Sequence, residues 1–140
     1  MSKEVDSTHV VIVAHGSRDP DWKAPLQKLT ADFKNQVLNH FIELAFMEFE
    51  KPYFFDRIKI ILDSNTKASI LVIPAFFSSG GHVSNDIREP LLKLKRHYPD
   101  AKIVIAEALG ARNSVLQSMV SEIQVDLNRI HQERGVSDVE

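Results

Sequence analysis

Val10-Val11-Ile12-Val13-Ala14, followed at once by His15-Gly16-Ser17-Arg18-Asp19-Pro20-Asp21, is the stretch on which the fold turns. A continuous β-branched run with no polar alternation is a strand buried on both faces, as in parallel sheets covered by helices. The run stops in a polar, turn-rich segment. Trp22, Leu26, Leu29, Phe33 and Val37 then recur at steps of three and four, the apolar stripe of an amphipathic helix. Asp19 or Asp21 is placed to cap that helix, and Pro25 is tolerable because it falls near the first turn.

Outward from this unit the same alternation repeats. Phe41 to Phe49 reads as a second strand, closed by Glu50-Lys51-Pro52, and Phe54, Phe55, Ile58, Ile61 and Leu62 form a second helical stripe. Ile70 to Ala75 is a third buried strand, leading into Phe76-Phe77-Ser78-Ser79-Gly80-Gly81. Ile87, Leu91, Leu94 and Tyr98 mark a third helix whose start is blurred by Pro90. Ile103 to Ala106 is a fourth strand, running into Leu109-Gly110-Ala111-Arg112. Asn113 caps a last helix with apolar positions Leu116, Val120, Ile123, Leu127 and Ile130, and the chain from His131 onward is a polar tail. Strict strand–helix alternation with right-handed crossovers predicts an α/β fold: a four-stranded parallel sheet flanked by helices, flavodoxin-like in outline. Neither a repeat nor a linker interrupts the 140 residues, so residues 1–140 form one domain with a core over about 8–131.

Composition narrows the chemistry. Hydrophobic residues make up 44% and charged residues 26%, the mix of an ordinary soluble globule. A net charge of −2 gives no reason to expect nucleic acid or an anionic membrane as partner. The absence of cysteine removes disulfides, Cys-ligated zinc, iron–sulfur clusters and thiol nucleophiles, and leaves imidazole and oxygen as the only metal donors. Met1 to Thr8 has no apolar stretch of the kind a secretory signal needs, and Ile70 to Phe77 is too short to span a bilayer, so the expected location is the cytoplasm.

Ligands of open parallel sheets bind beyond the carboxyl ends of the strands, which makes the four strand-to-helix loops informative. Two of the six histidines fall there, His15 and His82; His9 and His40 lie at strand starts, His97 near a helix end and His131 in the tail. Taken singly, His15 reads as a polar turn residue and His82 as an early helix residue behind the flexible Gly80-Gly81 pair. Together, if the first and third strands are neighbours, both imidazoles rise into one cleft, and Glu48 at the end of the second strand can add a carboxylate. That set suits Co²⁺, Ni²⁺, Fe²⁺ or Zn²⁺. Glu50 reads as a surface charge. Ser17 beside His15 could suggest a hydrolase, but there is no G-x-S-x-G elbow and no orienting acid. Neither a P-loop nor a G-x-G-x-x-G turn is present, and the third strand ends in Pro74-Ala75-Phe76-Phe77, with no receiver aspartate. Phe76 and Phe77 read as core, although exposed rings there could stack on a flat macrocycle.

Ala14-His15-Gly16-Ser17-Arg18-Asp19-Pro20 resembles the opening motif of the class II chelatases of the sirohydrochlorin cobaltochelatase and ferrochelatase family. Pro74 to Val83 with Asp86-Ile87 resembles a second motif of that family, Ala45 to Glu48 with Pro52 a third, and Leu109-Gly110 a fourth. The likeness spans about Val10 to Ile130. It implies a single chelatase-like domain that works as a homodimer and inserts cobalt, iron or nickel into sirohydrochlorin in cobalamin- or siroheme-type biosynthesis. The metal is then substrate, and no organic cofactor is needed. His15 and His82 would bind the metal and, neutral near pH 7, accept the pyrrole protons, with Glu48 orienting an imidazole or sharing the charge. Ser17, Arg18, Ser78, Ser79, Gly80, Gly81, Arg88 and Arg112, together with Lys23, would receive the carboxylates of the macrocycle. Gly81 stands where relatives often carry arginine, a loss that Arg88 could offset. That departure motivates the alternative: a non-catalytic carrier of metal or tetrapyrrole on the same scaffold.

Overall fold

The computed structural model of the chain describes residues 7–77 and 81–132, with residues 81–84 given by backbone alone. The β-branched run forms β1 (Thr8–Ala14), and from Val10 onward every residue of it is buried. Its lack of polar alternation has a direct cause: Val11 and Val13 face one apolar cluster and Val10 and Ile12 the other, on opposite faces of the sheet. β2 (Phe41–Phe46) lies parallel on one side and β3 (Ser69–Pro74) parallel on the other, with Ala14 opposite Phe46 and Val13 opposite Pro74. β4 (Lys102–Ile105) continues the sheet beyond β3, giving the order β2-β1-β3-β4. The all-parallel sheet expected from the alternation is present, and β1 and β3 are neighbours.

Helices α1 (Ala24–Gln36), α2 (Phe54–Ser64), α3 (Gly81–His97) and α4 (Asn113–Gln132) follow the four strands in turn. One face of the sheet is sealed by α2 and α3, whose Ile58, Leu62, Ile87, Leu91 and Leu94 pack on Val11, Val13, Ile70 and Val72. Ile58 and Leu62 are fully buried, each stabilising the fold by about 1.5–3 kcal/mol through removal of apolar surface from water. The other face is a smaller cluster, Val10, Ile12 and Ile42 with Leu44, Leu71 and Ile73 beside them, and α1 covers its β2 side. α4 buries none of its residues.

Five local expectations are corrected. β2 ends at Phe46 instead of Phe49, because the chain folds back there: the Phe46 amide donates to the Pro52 carbonyl, and Phe49 takes a left-handed φ of 69°. Neither Asp19 nor Asp21 caps α1. Lys23 holds the cap position without a side-chain bond, while Asp19 accepts from the Asp21 amide and shapes the turn before the helix. Asn113 is the first residue of α4 and not its cap, since the Arg112 carbonyl already accepts the Leu116 amide. α3 starts at Gly81, well ahead of Pro90, and α4 runs through His131 to Gln132.

Candidate active site

Strand order reverses between β1 and β3, and at such a switch point the loops leaving the two strands part and open a crevice. His15 is the first residue past β1 and is exposed there. Its ring leans on Phe76, the second residue past β3, with centroids 4.1 Å apart at 50°. Phe76 is buried and Phe77 is 70% exposed, so of the two rings the first supports His15 from the core and the second faces solvent.

The carboxylate comes from the other side. The β1–β2 ladder runs two steps past the strands: Met47 donates its amide to the Ala14 carbonyl at 2.9 Å and Glu48 donates to the His15 carbonyl at 3.0 Å. Gly16 makes this possible. Its φ is +95°, and a Cβ there would stand 1.7 Å from the Glu48 carbonyl oxygen, so only glycine lets the two loops touch. Glu48 is thus fixed beside His15 by backbone, and its exposed carboxylate has no hydrogen-bond or ion-pair partner among the described residues.

Around this contact the first two loops are clamped together. The Arg18 guanidinium lies 5.0 Å over the Phe49 ring, a cation–π contact. Glu50, expected to be a surface charge, is instead largely covered: its carboxylate accepts from Trp22 Nε1 at 3.3 Å and from Lys23 Nζ at 3.1 Å. Lys23 is therefore engaged inside the wall of the crevice. The Ser17 hydroxyl oxygen accepts the Asp19 amide and belongs to the turn. Sequence reading missed Trp22, Lys23, Phe49 and Glu50 as a group, because nothing in their spacing shows that the loops after β1 and β2 meet.

The remaining candidates are more dispersed. The exit from β4 supports the exit from β3, with the Gly110 amide donating to the Phe76 carbonyl at 2.7 Å. Arg112 is turned onto its own loop, its guanidinium donating twice to the Glu107 carbonyl. Arg88 is exposed on α3 and lines a groove with Ile103 and Ile105 of β4, so β3 stands between it and β1. Ser78, Ser79 and Gly80 lie outside the described residues, as does the His82 side chain. The backbone places Gly81 and His82 as the first two residues of α3, at the carboxyl end of β3. Among the described residues no three His, Asp or Glu side chains form a metal-holding group. His9 and His40 sit at the opposite end of the sheet. His9 stacks on Phe41 at 4.7 Å, its buried Nδ1 has no partner, and burial holds its pKa below the ordinary 6.5, with Arg57 adding and Glu43 opposing. His40 Nδ1 accepts the Thr8 amide.

Residues 9–125 match the family model described as CbiX. The sirohydrochlorin cobaltochelatase of Sulfurisphaera tokodaii is 29% identical over 117 residues, which cover 82% of this chain and 90% of the relative. That of Saccharolobus islandicus is 28% identical over 86% of this chain and 96% of its own length. Among solved structures, a CbiX protein of Marinobacter aquaeolei named for cobalamin (vitamin B12) biosynthesis superposes with a TM-score of 0.71 at 21% identity, over 87% of this chain and 98% of its own. The sirohydrochlorin chelatase SirB of Bacillus subtilis, solved with cobalt, gives 0.70 at 19% identity; the match covers 85% of this chain and 50% of SirB.

Proposed function

The chain belongs to the CbiX family, and on that premise we propose that it is a chelatase inserting a divalent metal ion into a sirohydrochlorin-type tetrapyrrole. One structural observation carries the reading: Gly16 locks the Glu48 backbone onto that of His15 at the switch point, leaving an exposed imidazole and an exposed carboxylate on adjoining loops. The relatives that match over most of their length are named sirohydrochlorin cobaltochelatases.

Insertion exchanges two pyrrole protons for one M²⁺. The protein must therefore hold the ion weakly enough to release it and take up protons at the same place. A neutral imidazole serves both needs, because its ordinary pKa of about 6.5 lies near working pH. His15, braced by Phe76, presents the ion to one face of the ring, and His82 at the start of α3 completes the pair. Glu48 shares the charge of the ion or orients an imidazole, and the histidines accept the displaced protons. The acidic periphery of the macrocycle is received by Ser17, Arg18, Ser78, Ser79, Gly80, Gly81 and Arg112, with Arg88 at the outer edge. Cobalt, iron and nickel all suit imidazole and carboxylate donors, and cobalt has the support of the relatives' names. The protein acts as a homodimer in the cytoplasm, without an organic cofactor, and needs neither nucleic acid nor membrane. No described helix is long and apolar enough to cross a bilayer.

The test is a visible-absorption time course with sirohydrochlorin and Co²⁺, Fe²⁺ or Ni²⁺ supplied separately, against an enzyme-free blank. Many turnovers per chain are expected, with His15→Ala, His82→Ala and Glu48→Gln each reducing the rate at least 100-fold while the far-UV spectrum stays unchanged. A spectral change that stops at one equivalent would make the protein a carrier. Wild-type turnover in either histidine variant would overturn the paired-imidazole chemistry.

A further inference from the structure

Among the described residues Phe49 is the one non-glycine with a positive φ, 69°, a conformation that a bulky side chain reaches only against steric cost. It is fixed there from both sides. The Glu48 amide is bonded to the His15 carbonyl, and the Glu50 carboxylate accepts from Trp22 and Lys23. Behind them the loop is closed where the Phe46 amide meets the Pro52 carbonyl. The turn itself needs no ring, since glycine or asparagine would hold that φ with less strain. Yet a phenyl ring stands here, 50% exposed, with the Arg18 guanidinium 5.0 Å over it. A bulky residue held at a costly φ points to a use for its side chain.

We propose that Phe49 is a positioning residue: its ring holds the Arg18 guanidinium at the rim of the crevice as the receptor for a peripheral carboxylate of the macrocycle. The inference rests on the chelatase reading above and names what sets one of its contacts. Arg18 lies three residues past His15, is exposed, and enters no ion pair among the described residues. Two acids of the same loops are already engaged, Glu50 by Trp22 and Lys23 and Asp19 by the Asp21 amide. The contact with the π face uses up no oxygen acceptor, so the N–H donors of Arg18 remain to take a carboxylate, and a planar guanidinium can do so bidentately. Resting on the ring, the side chain has already given up part of its rotamer freedom, so more of the contact emerges as affinity. The ring is carried by the same clamp that fixes Glu48 beside His15. The rim contact and the metal-facing pair are therefore referred to one loop and keep one spacing.

The probe is metal-free sirohydrochlorin, titrated with the full chain and followed by its fluorescence, so the readout needs no insertion. Phe49→Leu keeps the apolar bulk and the backbone strain but removes the π face, and is expected to weaken binding about 5- to 10-fold. Phe49→Tyr restores the face and is expected to bind within about twofold of wild type. Arg18→Gln should weaken binding at least as much as Phe49→Leu. Adding Phe49→Leu to Arg18→Gln should cost nothing further, because the ring acts through the arginine. Equal affinity of Phe49→Leu and wild type would overturn the inference while leaving the chelatase reading standing. A Phe49→Leu loss that adds in full to that of Arg18→Gln, or that Phe49→Tyr fails to restore, would also overturn it, since the ring would then act without Arg18. A wild type that binds no sirohydrochlorin would instead overturn the functional reading, and this inference with it.

Discussion

Gly16→Ala isolates the contact that fixes Glu48 beside His15. The added Cβ would stand 1.7 Å from the Glu48 carbonyl oxygen, and real Cβ contacts essentially never fall below 3.0 Å, so the two loops must part by roughly 1.3 Å. Parting them stretches the Glu48-to-His15 backbone bond, whose loss costs about 1 kcal/mol. Holding alanine at a φ of +95° adds about 1–2 kcal/mol of steric strain. Together these give about 2–3 kcal/mol, a large share of the 5–15 kcal/mol typical of a domain. In urea, with a slope of about 2 kcal/mol per molar, the midpoint should fall by about 1–1.5 M with the slope unchanged. The variant should also lose turnover at temperatures where it is still folded, by roughly 100-fold, because an ångström of misplacement between reacting groups costs that much. Gly110→Ala is the companion: its Cβ would meet the Phe77 Cα at 2.5 Å, so it should destabilise by steric displacement without the positive-φ strain. If Gly16→Ala unfolds within about 0.5 kcal/mol of wild type, the backbone clamp is not what holds the loops together.

Glu50→Ala should lower stability by about 1–2 kcal/mol, because it strips Trp22 and Lys23 of their shared acceptor while the partly exposed Lys23 can turn to water. A thermal melt checks this, and an unchanged midpoint would show that the first two loops are held without Glu50. His9 gives a pH test. Its folded pKa lies below 6.5, so the unfolded chain takes up the proton first as pH falls. The contribution is therefore complete above pH 6.5 and is lost as pH falls through the folded value. Urea midpoints measured at about pH 7.5 and about pH 5 should fall further in wild type than in His9→Gln, and equal falls would mean that His9 does not carry the difference.

Much of the architecture was legible because a parallel sheet writes itself into composition. Val10 to Ala14 is apolar at every position since both faces of β1 meet apolar clusters, and the stripe Phe54, Ile58, Ile61, Leu62 is apolar since α2 packs on that sheet. The loops were legible only as lists of residues. That Glu50 faces Trp22 and Lys23 depends on β1 and β2 lying side by side, a tertiary fact that no local spacing encodes. The overlong β2 has the same origin: Met47, Glu48 and Phe49 look like strand, but the fold-back of Pro52 onto Phe46 takes them out of the sheet. At the site, His15 and Glu48 could be nominated as candidates, whereas Gly16 drew notice only as a turn former. Its role as the point where two loops touch needed coordinates.

The central position of β1 has a consequence for how the chain reaches its fold. β1 is made about 60 residues before β3, so its second edge stays open until β3 arrives, since Thr8 pairs with Ser69. Closing so long a loop is slow. In the interval Val10 to Ala14 is an uncharged, β-prone segment with a free edge, the kind of segment that pairs with its like on another chain. Refolding yield should therefore fall as protein concentration rises, because a second chain can reach that edge before β3 does.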